Sequence, residues 1–398
     1  MNSSKTTIFL VIKNIILTFF FIYPNLLHAQ QIEIINFYTS NNKQIKEKYF
    51  AKIIGKDTLK HGYYTYFFKS GNSMQEGNFS ENKLTGQWKI YNENGTLKSI
   101  FTFDNNKKNG AFQQFSEQGI LLQSGNYSNN LPNGIVTSFN PDGSRESSTN
   151  YVNGIQNGEF IKYAENGNPQ QIYTLKNNRI NGLYISFYED GEINYFGKKL
   201  DNQFVDTLFT FYPDGNIQRK AVYKNGILHG EFVAFYQNGD SMYHYFYHND
   251  TIHSLYKAFH TRNLVAEKGK YENGKRQGYW TSYYPDSAQV FSQGNYEKNL
   301  YTGIWQVFYP NGKLKQKGEY QKGLSEGYWE FFYENGAIYK KGNYLNDFKT
   351  GVWNVFNEEK QEIAILNYQN DKLNGECFVR NSEGILVKIL YKNGELLK

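Results

Sequence analysis

A repeat of 24 residues constrains the fold of this chain more than any other feature of its sequence. Fourteen units follow one another from residue 62 to residue 398, and only the step from Gly278 to Gly303 departs from 24, at 25 residues. The first residues of the units are Gly62, Gly86, Gly110, Gly134, Gly158, Gly182, Asp206, Gly230, Ser254, Gly278, Gly303, Gly327, Gly351 and Gly375. Repetition at such a period predicts an array of small units that pack on their neighbours.

Each unit is predicted to form one β-hairpin. Its pattern is G-x-W/Y/F-x-x-F/Y-Y-x-N/D-G, best seen from Gly303 to Leu314, followed by a second polar-apolar stretch and a polar connection. The N/D-G pair favours a hairpin turn because both of its residues tolerate positive φ. No unit has the apolar period of an amphipathic helix. The predicted fold class is therefore all-β, an elongated single-layer antiparallel sheet of about fourteen stacked hairpins.

Aromatic residues recur at fixed positions, which we number by their distance from the first residue of the unit. Position +5 is aromatic in thirteen of the fourteen units, with Arg380 as the exception, and position +2 is usually aromatic as well. A single hairpin cannot bury such rings, so they predict packing between neighbouring units. Positions +2 and +5 differ in parity along a strand, so either a bulge intervenes or both faces carry rings.

Position +6 changes from small residues to aromatic ones along the chain, and we select it as the candidate binding surface. If position +5 packs inward, position +6 faces outward, and tyrosine is enriched at recognition surfaces. Cross-strand stiffening of the sheet is the alternative explanation. The candidate binding residues, called the tyrosine stripe below, are Tyr188, Tyr212, Tyr236, His260, Tyr284, Tyr309 and Tyr333.

The first 29 residues are predicted to be a secretory signal peptide. Lys5 and Lys13 precede an apolar run from Ile15 to Tyr23, and the small residue Ala29 provides a cleavage point. Residues 30–61 are expected to cap the repeat array at 62–398, and the mature protein is expected in the periplasm or outside the cell. Its balance of 41 basic and 37 acidic residues, a net charge of +4, favours neither nucleic acid nor lipid as a partner.

The sequence contains none of the common catalytic motifs, and an open sheet lacks a site that excludes water, so we expect no enzyme, no catalytic residue and no cofactor. We also expect no metal site, because residues 244 and 248 lie about 13 Å apart along a strand. His229 and His253 stand one unit apart, about 10 Å. Cys377 occupies a position that is usually aromatic and is expected to be a small buried residue.

The core G-x-W-x-x-Y-Y-x-N-G-x-L, best seen at Gly303–Leu314 and Gly327–Ile338, resembles the MORN repeat. In particular it is similar to the variant form found in bacterial proteins called YwqK-type antitoxin components. The resemblance covers residues 62–398. It implies a twisted single-layer antiparallel sheet and implies no activity.

Three functions remain open at this point. The first is a non-enzymatic exported scaffold that binds a protein partner in the cell envelope or outside it. The second is binding of a glycan or cell-wall polymer through apolar ring faces. The third, implied by the resemblance, is antitoxin-like inhibition of a partner protein.

Overall fold

A computed structural model describes residues 31–38 and 44–397 of the chain. The predicted signal peptide, residues 1–29, lies outside the described residues. The chain divides into two compact bodies, an N-terminal body of residues Met1–Gly158 and a C-terminal body of Glu159–Lys398. The boundary falls within one strand, β12 (Ile155–Tyr163).

Short strands make up most of the described residues in both bodies. The N-terminal body contains β1 (Gln31–Phe37), β2 (Ile45–Ile54), β3 (Asp57–Phe67), β4 (Ser73–Ser80), β5 (Lys83–Tyr91), β6 (Leu97–Asp104), β7 (Lys107–Phe115), β8 (Leu121–Ser128), β9 (Leu131–Pro132), β10 (Gly134–Phe139) and β11 (Arg145–Val152). The C-terminal body contains β13 (Pro169–Lys176), β14 (Arg179–Phe187), β15 (Ile193–Leu200), β16 (Gln203–Phe211), β17 (Ile217–Lys224), β18 (Ile227–Phe235), β19 (Ser241–His248), β20 (Thr251–Phe259), β21 (Val265–Glu272), β22 (Lys275–Tyr283), β23 (Val290–Glu297), β24 (Leu300–Phe308), β25 (Leu314–Gln321), β26 (Leu324–Phe332), β27 (Ile338–Leu345), β28 (Phe348–Phe356), β29 (Glu362–Gln369), β30 (Lys372–Leu373), β31 (Gly375–Arg380), β32 (Leu386–Lys392) and β33 (Glu395–Leu397). A single turn of 3-10 helix, Thr261–Asn263, follows β20.

Strands that follow one another in sequence pair antiparallel. The pattern is regular from β3 to β8 in the N-terminal body and from β13 to β29 in the C-terminal body. The predicted all-β antiparallel sheet of stacked hairpins is confirmed. Within residues 30–61, predicted to be a cap, the described residues form β1, β2 and the beginning of β3, which pair in that order. Their capping role stays a prediction.

Two different turns connect the strands. Inside a unit, the N–H of Tyr309 donates to the carbonyl oxygen of Lys313 at 2.8 Å, and only Gly312 has positive φ, at 82°. Between units the turn has two residues with positive φ, as at Asn105 (47°) and Asn106 (67°). The expectation that both residues of the N/D-G pair adopt positive φ is therefore wrong. Two consecutive residues with positive φ occur instead in the connections between units and, inside a unit, at Arg262 and Asn263.

The strand register shows whether positions +2 and +5 lie on the same face of the sheet or on opposite faces. Trp329 pairs with Gly342, Phe331 with Lys340 and Phe332 with Ile338, so the extra residue of a bulge lies on β27. Side chains therefore alternate from position +1 to position +5 of β26, and positions +2 and +5 lie on opposite faces. We call these faces the tryptophan face, defined by position +2, and the phenylalanine face, defined by position +5. Both faces carry rings.

Candidate functional site

On the tryptophan face, each tryptophan lies against a glycine of the preceding strand. A Cβ built on Gly318 would stand 2.0 Å from Cδ2 of Trp329, and one built on Gly342 would stand 2.3 Å from Cδ2 of Trp353. The two indoles are 3% and 1% exposed. The indole Nε1 of Trp353 donates to the carbonyl oxygen of Asn343 at 3.1 Å. These rings are buried because the glycine leaves room for them, so they form core and not a binding surface.

Tyrosines fill the spaces between successive tryptophans. Tyr320 meets Trp329 edge-to-face with ring centroids 5.0 Å apart, and Tyr344 meets Trp353 in the same way at 5.1 Å. Burial raises the pKa of both tyrosines. Edge-to-face pairs of this kind add stability beyond the area that they bury. The tryptophan face of the C-terminal body is therefore a continuous packing layer.

A guanidinium reinforces this layer at Trp280. The Arg276 guanidinium lies 4.3 Å from the Trp280 ring centroid, and its Nη2 donates to both carboxylate oxygens of Glu267 at 3.0 and 3.1 Å. Tyr296 accepts a further hydrogen bond from Nη1 at 3.2 Å. Because every part of this cation is engaged within the sheet, we assign it a packing role.

The tyrosine stripe makes hydrogen bonds from one unit to the next. The Tyr309 hydroxyl donates to the carbonyl oxygen of Phe332 at 2.8 Å, and Tyr212 donates to Phe235 at 2.9 Å. The same bond joins Tyr188 to Phe211, Tyr236 to Phe259, Tyr284 to Phe308 and Tyr333 to Phe356, and His260 approaches Tyr283 at 3.5 Å. All seven side chains are half-buried. The polar tips of the stripe are thus engaged by the backbone, and its role in binding a partner stays a prediction.

Position +1 carries the exposed apolar surface that the sequence reasoning missed. Five consecutive units place Leu255, Tyr279, Ile304, Tyr328 and Val352 on the phenylalanine face, each between 51% and 64% exposed. We call these five residues the exposed row. The cross-strand partners of its last four members are Asn295, Glu319, Asn343 and Asn367, so polar side chains separate the apolar ones. Position +1 has no consensus residue, and only its apolar character in successive units could have signalled the row.

Candidate chemical groups elsewhere in the described residues are few. Cys377 is fully buried, as predicted, and its sulfur accepts a hydrogen bond from the Asn367 N–H at 3.3 Å. In residues 31–38 and 44–397, no group of three or more His, Cys, Asp or Glu side chains is arranged to hold a metal ion. Over the same residues, no helix has the length and apolar character needed to cross a membrane.

The histidines lie closer together than the sequence indicated. The rings of His229 and His248 have centroids 4.9 Å apart, and those of His248 and His253 are 6.1 Å apart. The sequence reasoning compared residues on one strand or at one repeat position and so did not consider His229 beside His248. His244 stands apart from this group, with its Nε2 3.1 Å from a carboxylate oxygen of Glu231.

Five segments of the chain match a family model described as the MORN repeat variant. The matched residues are 84–105, 156–177, 207–225, 301–322 and 325–346. The chain contains MORN repeats. Four of the matched MORN segments begin two residues before the first residue of a unit and end at the turn that leads to the next unit. The family model therefore describes the hairpin whose packing is set out above.

Comparison with other proteins adds no activity. No curated protein matches the MORN-repeat chain in sequence. Among solved structures, it is 10% identical to a chain of TcdB2-TccC3 without the hypervariable C-terminal region, at a TM-score of 0.16, covering 94% of this chain and 24% of that one. It is also 10% identical to a chain of the Photorhabdus luminescens Tc holotoxin pore, at a TM-score of 0.17, covering 92% of this chain and 21% of that one. The chain thus spans less than a quarter of the length of these proteins.

Proposed function

We propose that this protein is a non-enzymatic, exported scaffold that binds a protein partner through the exposed row. The observation that carries the proposal is the exposure of five apolar side chains in five consecutive units of the C-terminal body. Single exposed apolar residues are ordinary on a protein surface. Here they recur at one position of five consecutive units with polar side chains between them, and such a concentration of exposed apolar side chains supports an interaction site.

The dimensions and chemistry of the row suit a protein partner. With two strands per unit and about 4.8 Å between strands, five units extend the row over about 40 Å. Leu300, Leu324 and Phe348 lie three residues before the units' first residues, on the same face, and are 41% to 51% exposed. They widen the apolar surface beside the row. Two tyrosines among apolar side chains, bordered by three amides and one carboxylate, match the composition of protein interfaces.

Site-specific photo-cross-linking tests this proposal. A photoreactive residue replacing Ile304 should give one discrete adduct in the native envelope or culture fluid, identifiable by mass spectrometry. The adduct should disappear when Tyr279→Ser and Tyr328→Ser are introduced together. Ile135→Ser is the matched control, because Ile135 is also at position +1 and is 61% exposed, but its neighbours at that position are Ala111 and Glu159. An adduct that survives the double substitution would refute binding through the row.

Variants of the tyrosine stripe separate binding from stability. Tyr212→Phe and Tyr309→Phe keep the rings but remove two hydroxyls that bond to the next unit. We expect this variant to unfold at lower denaturant concentration and to retain the adduct at Ile304. Loss of the adduct with unchanged stability would instead assign the binding surface to the stripe.

A polymer partner would give a different outcome. Sugar rings can lie on tyrosine faces, and the amides of Asn295 and Asn343 could bind their hydroxyls. Co-sedimentation with purified cell wall that depends on Tyr279 and Tyr328, without any protein adduct at Ile304, would show that the row binds a glycan instead of a protein.

Export and the antitoxin-like role are further parts of the proposal. Export rests on the charged and apolar segments of residues 1–29, and N-terminal sequencing of the mature protein tests it. If the chain belongs to the YwqK-type antitoxin-like group, its partner is a toxic protein that reaches the same compartment. Growth rescue on co-expression with the product of a neighbouring reading frame, lost in the Tyr279→Ser, Tyr328→Ser variant, would support that role.

A further inference from the structure

Two histidines face each other across neighbouring strands of the C-terminal body. The register of β18 and β19 pairs Gly230 with Tyr247, and continuing it by one residue sets His229 opposite His248. Directly opposed side chains on antiparallel strands have Cβ atoms about 4.5–5.5 Å apart. The pair lies at the end of the hairpin, where His248 is exposed and His229 is half-buried. A small ion can therefore reach both rings from solvent.

The distance between the rings suits a shared metal ion. A histidine nitrogen binds a transition metal at about 2.0–2.1 Å, which places the ring centroid about 3.2 Å from the metal. Two such ligands at an angle between 90° and 109° then have centroids about 4.5–5.2 Å apart. The observed 4.9 Å between His229 and His248 falls within this range, whereas the 6.1 Å between His248 and His253 lies outside it.

Hydrogen bonds favour His229 over His253 as the partner of His248. The Nδ1 atom of His229 lies 3.1 Å from Oδ1 of Asn249, and because an amide oxygen only accepts, Nδ1 carries the proton and Nε2 keeps its lone pair. Such an outer hydrogen bond is the usual support of a metal-binding imidazole. In His253, by contrast, Nδ1 accepts from the Asn273 N–H at 3.4 Å, so its remaining nitrogen carries the proton.

We propose that His229 and His248 form a two-histidine chelate for a divalent transition-metal ion, with water completing the coordination. This arrangement needs fewer protein ligands than the groups of three or more that are absent from the described residues. Two imidazoles favour borderline cations, and among these Cu²⁺ binds a nitrogen site more tightly than Ni²⁺ or Zn²⁺. The proposal is independent of the protein-binding role of the exposed row.

Titration of the untagged full chain with Cu²⁺ tests the chelate. Isothermal calorimetry should give one tight site, and electron paramagnetic resonance of the complex should show coupling to two nitrogens. Removing an outer hydrogen-bond partner typically lowers metal affinity 10–100-fold, so removing a ligand should lower it at least about tenfold. We therefore expect His229→Ala and His248→Ala each to lose tenfold or more in affinity for Cu²⁺.

His253→Ala and His244→Ala are the matched controls, and both should bind Cu²⁺ like the wild type. His248→Gln provides a second variant at the exposed position, and circular dichroism of every variant verifies that the sheet is intact. Absence of a Cu²⁺ site in the wild type, or an affinity of His229→Ala or His248→Ala equal to that of the wild type, would overturn the proposal.

Discussion

Replacing Gly318 by alanine should destabilise the sheet, although alanine is ordinarily the better residue in a strand. Gly318 does not have positive φ, so its backbone accepts a side chain. The added Cβ would stand 2.0–2.5 Å from three carbon atoms of the Trp329 indole. Carbon atoms pack at about 3.5–4.0 Å, so the ring must move by about 1.5 Å.

The size of the effect follows from what that movement breaks. Overpacking of a well-filled site costs about 1–3 kcal/mol. Displacing Trp329 also weakens its edge-to-face contacts with Tyr320 and Tyr344, each worth about 0.5–1.5 kcal/mol. Alanine recovers about 0.5–1 kcal/mol because it restricts the unfolded chain more than glycine does. The net loss in the free energy of unfolding should be about 2–4 kcal/mol.

Guanidinium unfolding followed by circular dichroism measures this loss, and hydrogen exchange of peptides from β25 and β26 shows where it falls. Gly197→Ala is the matched control. Gly197 lies against Leu208 as Gly318 lies against Trp329. A Cβ built on Gly197 would stand 2.9 Å from Cδ1 of Leu208, which is the flexible end of that side chain. That variant should change the free energy of unfolding by less than about 1 kcal/mol. Equal effects of the two substitutions would refute the account of tryptophan packing.

Two further predictions concern contacts in the N-terminal body. Asn130→Gly keeps the positive φ of the turn but removes the side-chain oxygen that accepts from the Lys108 N–H at 2.7 Å. It should lower the free energy of unfolding, measured with denaturant, by about 1 kcal/mol. An unchanged midpoint would show that this hydrogen bond adds no stability. Burial opposes ionisation of Glu76, but hydrogen bonds from Tyr91 and Tyr63, both at 2.7 Å, outweigh it and hold the pKa of Glu76 below its ordinary value. A lowered pKa in the folded state adds stability above the unfolded pKa and loses it as the pH falls through the folded pKa. The stability advantage of wild type over Glu76→Gln should therefore be present at about pH 6 and shrink by about pH 3 in urea unfolding, and a constant difference would contradict this assignment.

Much of the packing layer can be predicted from the sequence. All five tryptophans, Trp88, Trp280, Trp305, Trp329 and Trp353, have a glycine eleven residues earlier, and the structure shows that this glycine is the surface on which the ring lies. Where position +2 is not tryptophan, the residue eleven positions earlier varies: it is Ala221 before Phe232 and Phe101 before Phe112. The constant pairing of tryptophan with glycine is therefore the signal of contact that the single sequence contains.

The surfaces were harder to predict because they depend on register. Whether Tyr309 points to solvent or to the next unit is decided by the turn and bulge geometry, which periodicity does not specify. The exposed row escaped notice since Ile304 and Tyr328 belong to a position without consensus. The pair of His229 and His248 depends on the register between β18 and β19, and comparison of equivalent repeat positions does not reveal it.

The central claim is that each hairpin is held by ring contacts with the next one along the chain. A double-mutant cycle of Tyr344→Leu and Trp353→Leu tests it most directly, because the two rings belong to successive units and meet edge-to-face at 5.1 Å. Measured by denaturant unfolding, the pair should show a coupling energy of about 0.5–1.5 kcal/mol. Strictly additive effects of the two substitutions would contradict the claim.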